Sequence, residues 1–207
     1  MPDPDPIQEQ LAAARRRQIL AAAAQVFSEK GFHRATIHDV AQAAGIADGT
    51  IYNYFTNKDA VLLGILDQLN ETPERPVHFA QAASVGLEDW TRQYIRQRYA
   101  TIGSEGRRLF QVVLAEVLAS PQLREQYARQ VVQPTYDLAE GFFRQWVADG
   151  EVRPVDPALA LRVASAMLLG VLVQQIIGDP VLDAHQAELP EVMADILLHG
   201  LKEPALD

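Results

Sequence analysis

A short segment in the first third of the chain carries side chains that can hydrogen-bond to base edges. Residues 41–55 read AQAAGIADGTIYNYF, which predicts a tight turn at Gly45 followed by a short helix. Four residues of that helix should point outward: Asp48, Gly49, Thr50 and Asn53. A hydroxyl and an amide can pair with bases, a glycine lets the backbone approach, and a carboxylate repels phosphate unless it accepts from a cytosine amino group. The pattern indicates a helix that fits the major groove, which is about 12 Å wide.

Neighbouring elements should hold this segment in a helix-turn-helix. Apolar residues at helical spacing predict a first helix that ends near Lys30, because Gly31 follows it. Thr36 and Asp39 nearly match a capping box, so a second short helix should begin there. A longer helix is expected from Lys58 through about residue 70.

Residues 17–66 resemble the DNA-binding domain of the TetR family. The resemblance is carried by the Ala-Gly turn, the aromatic end of the recognition helix and a lysine soon after it. Matching positions upstream are Ile19, Ala22, Phe27, Gly31, Phe32 and residues 35–37. The resemblance implies phosphate contacts from Thr36, Tyr52, Tyr54 and Lys58, with Arg34 and His33 as further candidates.

Several of these residues also have a purely structural interpretation. Thr36 can serve only as a helix cap, Asn53 can be merely solvated, and Tyr52 can combine packing with a hydroxyl contact. Residues 15–17 are three arginines that form either a solvated face or a DNA contact. Ala47 stands where the family commonly has Ser or Thr, which removes an N-cap from the recognition helix.

The charge distribution separates this segment from the rest of the chain. The net charge is −9, which taken alone argues against nucleic acid. Residues 15–58, however, carry six basic and three acidic groups, whereas residues 59–207 have a balance of −9. The asymmetry predicts two parts with different partners.

Beyond residue 73 the sequence predicts a larger helical part. We expect helices at about 87–102, 105–119, 122–149, 157–178 and 189–202, the third kinked at Pro134. The expected fold is all-α with about nine helices. The expected domains are a flexible acidic Pro-rich tail at residues 1–14, a helix-turn-helix DNA-binding domain at 15–70, and a ligand-binding and dimerisation domain at 71–207.

Residues 156–178 form an apolar stretch of nearly membrane-spanning length. Arg162, Gln174 and Gln175 interrupt it, so we interpret it as a soluble helix buried on several sides, one of them by a second subunit. A core helix of a monomer is the alternative. The resemblance implies that this helix and the last one form a four-helix homodimer interface, for which the candidates are Leu161, Ser165, Leu168, Leu172, Val192 and Ile196.

Aromatic residues in the larger part suggest an apolar effector pocket, because the family usually binds a small molecule there. The candidates are Trp90, Tyr94, Phe110, Tyr127, Tyr136, Phe143, Trp146 and Met167. The alternative is that these side chains belong to the core, which is where an aromatic residue at helical spacing is more often found.

Catalysis finds little support in the sequence. The chain has no Cys, its five histidines are scattered, and no metal, phosphate-loop or nucleophile motif occurs. We expect a cytoplasmic, ligand-responsive transcriptional repressor that binds a palindromic operator in double-stranded DNA as a homodimer and is released by a small-molecule effector of unknown identity. It should need no metal or cofactor, have no enzyme activity and contact no membrane. A helical small-molecule carrier or adaptor without regulatory DNA binding is the alternative.

Overall fold

A computed structural model describes residues 6–70, 75–104 and 106–201 of the chain, with no placement given for the side chains of residues 6, 82–84 and 103–104. In the described residues all regular structure is helical, which confirms the all-α prediction. The helices are α1 (Pro6–Lys30), α2 (Ile37–Ala44), α3 (Asp48–Tyr52), α4 (Lys58–Leu69), α5 (Arg75–Val85), α6 (Leu87–Tyr99), α7 (Arg107–Ala119), α8 (Pro121–Tyr127), α9 (Gln133–Ala148), α10 (Pro157–Ile177), α11 (Pro180–Ala184) and α12 (Leu189–Leu201).

The chain divides into two compact units. The first unit contains the described residues up to Gln68 together with Arg108–Tyr127, and the second contains Leu69–Arg107 together with the described residues from Ala128 onward. The segment Arg108–Tyr127, which the sequence placed in the larger domain, therefore clusters with the N-terminal helices.

Helix α1 begins earlier than the sequence analysis expected. It starts at Pro6, so residues 6–14, assigned to a flexible tail, are helical, while residues 1–5 lie outside the described residues. Proline is well suited to the first turn of a helix, where its missing N–H costs nothing. The alanines at 12–14 then favour the helical state, and residues 7–18 are exposed along it.

The first unit has an apolar core that fixes the helix-turn-helix. Phe27 of α1, Val40 of α2 and Ile51 of α3 are each completely buried. Gly64 of α4 allows close packing, since a Cβ there would lie 2.8 Å from Leu20 Cδ2. Burial of these side chains anchors the exposed α3 to the longer helices.

Two prolines in the larger part lie in the first turns of helices. Pro76 lies in the first turn of α5, a helix that is absent from those expected from the sequence. The helix expected over 122–149 is divided into α8 and α9 by a π-helical turn at Ala128–Val132, and Pro134 lies in the first turn of α9. Because Pro134 has no N–H, the regular hydrogen-bond ladder cannot continue through this point. The split helix, α5 and α11 account for the helices beyond the expected nine.

The second unit is built around an aromatic core and an ion-pair network. Arg92 of α6 pairs with Glu191 at 3.1 Å and Asp195 at 3.2 Å on α12, and Arg96 also pairs with Glu191. The hydrogen bond from Arg96 is the largest cause that holds the pKa of Glu191 below its usual value. These pairs hold α12 against α6.

Candidate nucleic-acid interface

Helix α2 begins with a complete capping box. The backbone N–H of Asp39 donates to Thr36 Oγ1 at 3.1 Å, and the Thr36 N–H donates back to Asp39 Oδ2 at 2.9 Å, which confirms the predicted cap. Lys30 Nζ adds an ion pair to Asp39 Oδ1 at 2.7 Å. The hydrogen bond from Lys30, followed by those from Thr36, holds the pKa of Asp39 well below its usual range. Thr36 therefore organises the start of α2.

Gly45 forms the turn between α2 and α3. Its φ of +65° is left-handed, and its N–H donates to the carbonyls of Ala41 and Gln42. The N–H of Ile46 closes the motif on the Ala41 carbonyl at 3.0 Å. This is the αL helix ending that favours glycine, and it sets the direction of α3.

Helix α3 presents one face to solvent and one to the core. Ile51 and Phe55 are buried, at 0% and 3% exposure. Of the four residues expected to face outward, Asp48, Gly49 and Asn53 are exposed and Thr50 is half-buried. Of the two tyrosines implied as phosphate contacts, Tyr52 is exposed and Tyr54 is half-buried. The exposed residues form a short ridge suited to the major groove.

His38 and Asp48 connect α2 and α3 across the turn. Both oxygens of the Asp48 carboxylate lie near His38 Nδ1, at 3.1 and 3.0 Å. Ala47 is the N-cap of α3 and makes no side-chain capping bond, as expected from its methyl group. The sequence gives no signal for this pair, because no local pattern links residues ten positions apart.

Lys58, for which the family resemblance implies a phosphate contact, is bound by the loop between α1 and α2. Its Nζ donates to the carbonyl oxygens of Phe32 at 2.7 Å, Ala35 at 3.0 Å and His33 at 3.4 Å. It also lies 4.4 Å from the centroid of the Phe32 ring. An ammonium group has three N–H donors, so all three are used inside the protein. The geometry gives Lys58 the role of a clamp on the loop between α1 and α2.

The arginines of the first unit differ in their contacts. Arg16 lies 4.4 Å from the centroid of the Phe55 ring and donates to the Tyr54 carbonyl at 3.5 Å, so it supports the end of α3. Arg34 is exposed and donates through Nε to the Lys30 carbonyl at 2.9 Å.

The effector candidates are divided between the two units. Phe110 and Tyr127 lie in the first unit on α7 and α8, and Met167 lies half-buried on α10 of the second. Tyr136 donates to or accepts from Ser165 Oγ at 2.5 Å, and Arg162 lies over its ring.

The four remaining effector candidates are aromatic and pack together in the second unit. Trp90 stacks on Tyr94 at 4.8 Å between ring centroids, and Trp146 lies 5.1 Å from Trp90. The ring centroids of Phe143 and Trp146 lie 6.3 Å apart in an edge-to-face arrangement. Trp90, Phe143 and Trp146 are buried members of one core cluster, with Tyr94 packed against it. These rings therefore form structural core, the alternative that the sequence left open.

A shallow cleft of about 420 Å³ lies at the start of α6. It is lined by Val85, Gly86, Leu87, Glu88, Asp89 and Glu151. None of these residues is among the effector candidates predicted from the sequence.

The dimer candidates lie on two different faces. Leu172 is 1% exposed inside its own protomer, and Leu161 packs against the aromatic core. Leu161 and Leu168 are half-buried on the same side of α10 as Leu172. A helix that is apolar almost all round carries no signal of which face turns outward.

The exposed apolar residues of α10 and α12 define another face. They are Leu159, Val163, Ala166, Leu169 and Ile177 on α10, with Val192 and Ile196 on α12. Leu159, Val163 and Ile177 are 66%, 67% and 79% exposed. Ser165 is also exposed but lies beside this row. Among the described helices, α10 alone is long and apolar enough to cross a membrane by length and composition, and 11% of its most apolar window is buried.

Within the described ranges, no group of three or more His, Asp or Glu side chains is arranged to hold a metal ion. The described site residues are hydrogen-bond donors and acceptors on helices, a chemistry suited to recognition.

Comparison with known proteins agrees with this geometry. Models of the bacterial regulatory proteins of the tetR family and of the tetracyclin repressor-like C-terminal domain match residues 19–65 and 87–195, the second being more than half of the chain. The HTH-type transcriptional regulator UidR of Escherichia coli (strain K12) is 26% identical over 169 residues, which cover 78% of this chain and 81% of UidR.

Solved structures show the same fold. Salmonella enterica GusR is similar at a TM-score of 0.69 and 27% identity, with 90% of this chain and 93% of that one covered. A transcriptional regulator from Saccharomonospora viridis in complex with choline has a TM-score of 0.69 at 21% identity, with coverage of 93% and 100%. Because the two family models match the helix-turn-helix and most of the larger helical part, the chain belongs to the TetR family of bacterial transcriptional regulators.

Proposed function

We propose that this protein is a ligand-responsive transcriptional repressor that binds a palindromic operator as a homodimer and is released by a small-molecule effector. The observation that carries the proposal is α3, whose apolar side is fully buried while Tyr52 and Asn53 are exposed beside a left-handed turn at Gly45. Residues 15–70 would bind DNA, and residues 71–207 would bind the effector and dimerise.

The reading surface is drawn from the described residues of the first unit. Asp48, Gly49 and Asn53 offer a carboxylate, a bare backbone and an amide at the start and end of α3, and Thr50 adds a half-buried hydroxyl. Tyr52, Tyr54, Thr36 and Arg34 are the proposed phosphate contacts. Lys58 supports this surface by clamping the loop that carries Arg34, instead of contacting phosphate directly.

The proposed dimer interface is the exposed row on α10 and α12. Its apolar residues would remain in water in an isolated protomer, which is unusual for so long a row. A two-fold axis would bring the same two helices of a second copy against it and form a four-helix contact. Arg162, which pairs with Glu140 at 3.3 Å on the neighbouring helix α9, favours this arrangement over a membrane span.

The effector site is proposed to lie in the second unit, among α6, α9 and α10. Tyr94, Tyr136 and Met167 are half-buried on these helices and offer two hydroxyls and a flexible thioether. Tyr94 packs against the aromatic core of Trp90, Phe143 and Trp146. The Saccharomonospora viridis regulator binds choline, so this fold accommodates a small molecule. The effector must bind one spacing of the two recognition helices more tightly than the other, since equal affinity would shift nothing.

No enzymatic step is proposed for this protein, because its site residues suit recognition. The expected location is the cytoplasm, where its operator lies, with no membrane partner.

Binding to DNA from the region flanking its own gene tests the proposal. Fluorescence anisotropy at two salt concentrations should show sequence-selective, salt-sensitive binding. The double variant Tyr52→Ala and Asn53→Ala should bind every sequence more weakly and lose part of its selectivity, because it removes one proposed phosphate contact and one proposed base contact. Arg144→Ala, which removes a positive charge from α9, should bind like the wild type.

A wild type that shows no preference over random DNA at either salt concentration, and that also recovers no fragment in a genome-wide selection, would contradict the proposed function and favour a helical carrier.

A further inference from the structure

The carboxylate of Asp48 lies on the exposed face of α3 and contacts a histidine of α2. The side chains of His38 and Asp48 are 72% and 52% exposed, and Nδ1 of His38 lies 3.0 and 3.1 Å from the two carboxylate oxygens. A carboxylate that faces DNA is repelled by the phosphates. This repulsion is offset where the carboxylate accepts one hydrogen bond from the protein and another from a base.

His38 supplies a partner that the helix itself lacks. The N-cap of α3 is Ala47, which forms no side-chain bond, so the first turn of α3 is not held by a cap. Instead, the first residue of α3 is held by a side chain of α2, ten positions earlier. The His38 ring therefore fixes the direction in which the carboxylate points.

Another charged pair lies at the start of α2. On α1, Lys30 is paired with Asp39 of α2 at 2.7 Å, and Asp39 in turn accepts from the Thr36 backbone. The Lys30 ammonium is therefore engaged by Asp39, whereas Asp48 has His38 as its partner. An ionised carboxylate has about four acceptor positions, so a donor from His38 leaves capacity for a further donor.

We propose that His38 is a positioning residue that holds Asp48 to accept a hydrogen bond from a cytosine N4 amino group in the operator. Cytosine presents this donor in the major groove, and a carboxylate is its matching acceptor. The inference rests on the proposed function and deepens it, because it assigns the reading of one base pair in each half-site to the His38–Asp48 pair.

Selection from a random DNA library with the full-length protein tests the assignment. Wild type, Asp48→Ala, His38→Ala and His38→Asn should be compared, followed by affinity measurements on the selected operator and on one with the assigned G·C pair changed to A·T. The asparagine amide nitrogen occupies the same position along the side chain as His Nδ1, so His38→Asn keeps a donor to Asp48. His185→Asn, an exposed histidine of the second unit, is the matched control.

The wild type, His38→Asn and His185→Asn should prefer the same base pair about tenfold over its replacement. Asp48→Ala and His38→Ala should lose that preference at this position while keeping the preferences at the others. A uniform fall in affinity for all sequences in His38→Ala would mean a structural role only and would overturn the inference, as would an Asp48→Ala variant that selects the wild-type operator.

Failure of the inference and failure of the proposed function give different results. A wild type that selects a palindrome whose base preferences survive in Asp48→Ala keeps the proposed function and overturns the role of the pair. A wild type that selects no sequence overturns both.

Discussion

The ammonium group of Lys58 contacts Phe32 twice, 2.7 Å from its carbonyl oxygen and 4.4 Å from its ring centroid. With the carbonyls of Ala35 and His33, this contact closes the loop between α1 and α2 around one positive charge. The clamp lies directly before the capped start of α2, so loop order and DNA recognition should depend on it together.

Replacing Lys58 by methionine should lower the free energy of unfolding by about 1–3 kcal/mol, because carbonyls that now accept charged hydrogen bonds lose their donor. Urea unfolding measures the change. Arg17→Ala, which removes an exposed positive charge from α1, is the matched control and should leave stability unchanged. If Lys58 instead served as a phosphate contact, Lys58→Met would keep its stability and reduce the salt dependence of DNA binding by about one charge.

Replacement by alanine should affect stability at one glycine of the helix-turn-helix and DNA binding at another. Gly45 has φ +65°, so Gly45→Ala should destabilise the protein by about 1 kcal/mol. Gly49 is helical with open space around its Cα, so Gly49→Ala should fold normally and bind DNA more weakly, since the methyl group blocks backbone approach. Thermal unfolding and anisotropy on the same two variants separate the effects. Equal stability of the two variants would contradict the assignment of the turn.

Glutamate on the exposed face of α10 or α12 should produce monomers. Val163→Glu and Ile196→Glu place a charge in the proposed interface, and sedimentation velocity should show the loss of the dimer. Leu118→Glu is the control, since Leu118 is 61% exposed on α7 and lies outside this face. A dimer that survives both interface variants at micromolar concentration would show that the two-fold contact lies elsewhere.

Acid should weaken the start of α2 through Asp39. The ion pair with Lys30 and the hydrogen bonds from Thr36 hold the pKa of Asp39 below its usual value. A carboxyl group with a depressed folded-state pKa contributes stability that is fully present above the unfolded pKa, about 3.9, and is lost as pH falls through the folded-state value. The wild type should therefore lose more stability between pH 5 and about 2 than Asp39→Asn does.

Urea midpoints across this pH range measure the difference, and Glu29→Gln on α1 should follow the wild type. Parallel curves for the wild type and Asp39→Asn would show that Asp39 makes no such contribution.

Much of the DNA-binding segment was determined by local sequence. The capping box at Thr36 and Asp39 and the glycine turn at Gly45 act within a few residues, so their chemistry can be predicted from spacing alone. Burial of Ile51 and Phe55 follows from helical periodicity in the same way.

Only the tertiary structure decided the contacts between distant residues. Lys58 reaches carbonyls 23 to 26 positions away, and His38 meets Asp48 across a turn, so neither partner has a sequence signal. The structure was also needed to show which face of α10 is exposed. A helix with apolar residues on every side gives no such information until neighbouring residues bury Leu172 and pack against Leu161. Sequence spacing determines what a residue can do within its own helix, whereas packing between helices decides which partner it meets.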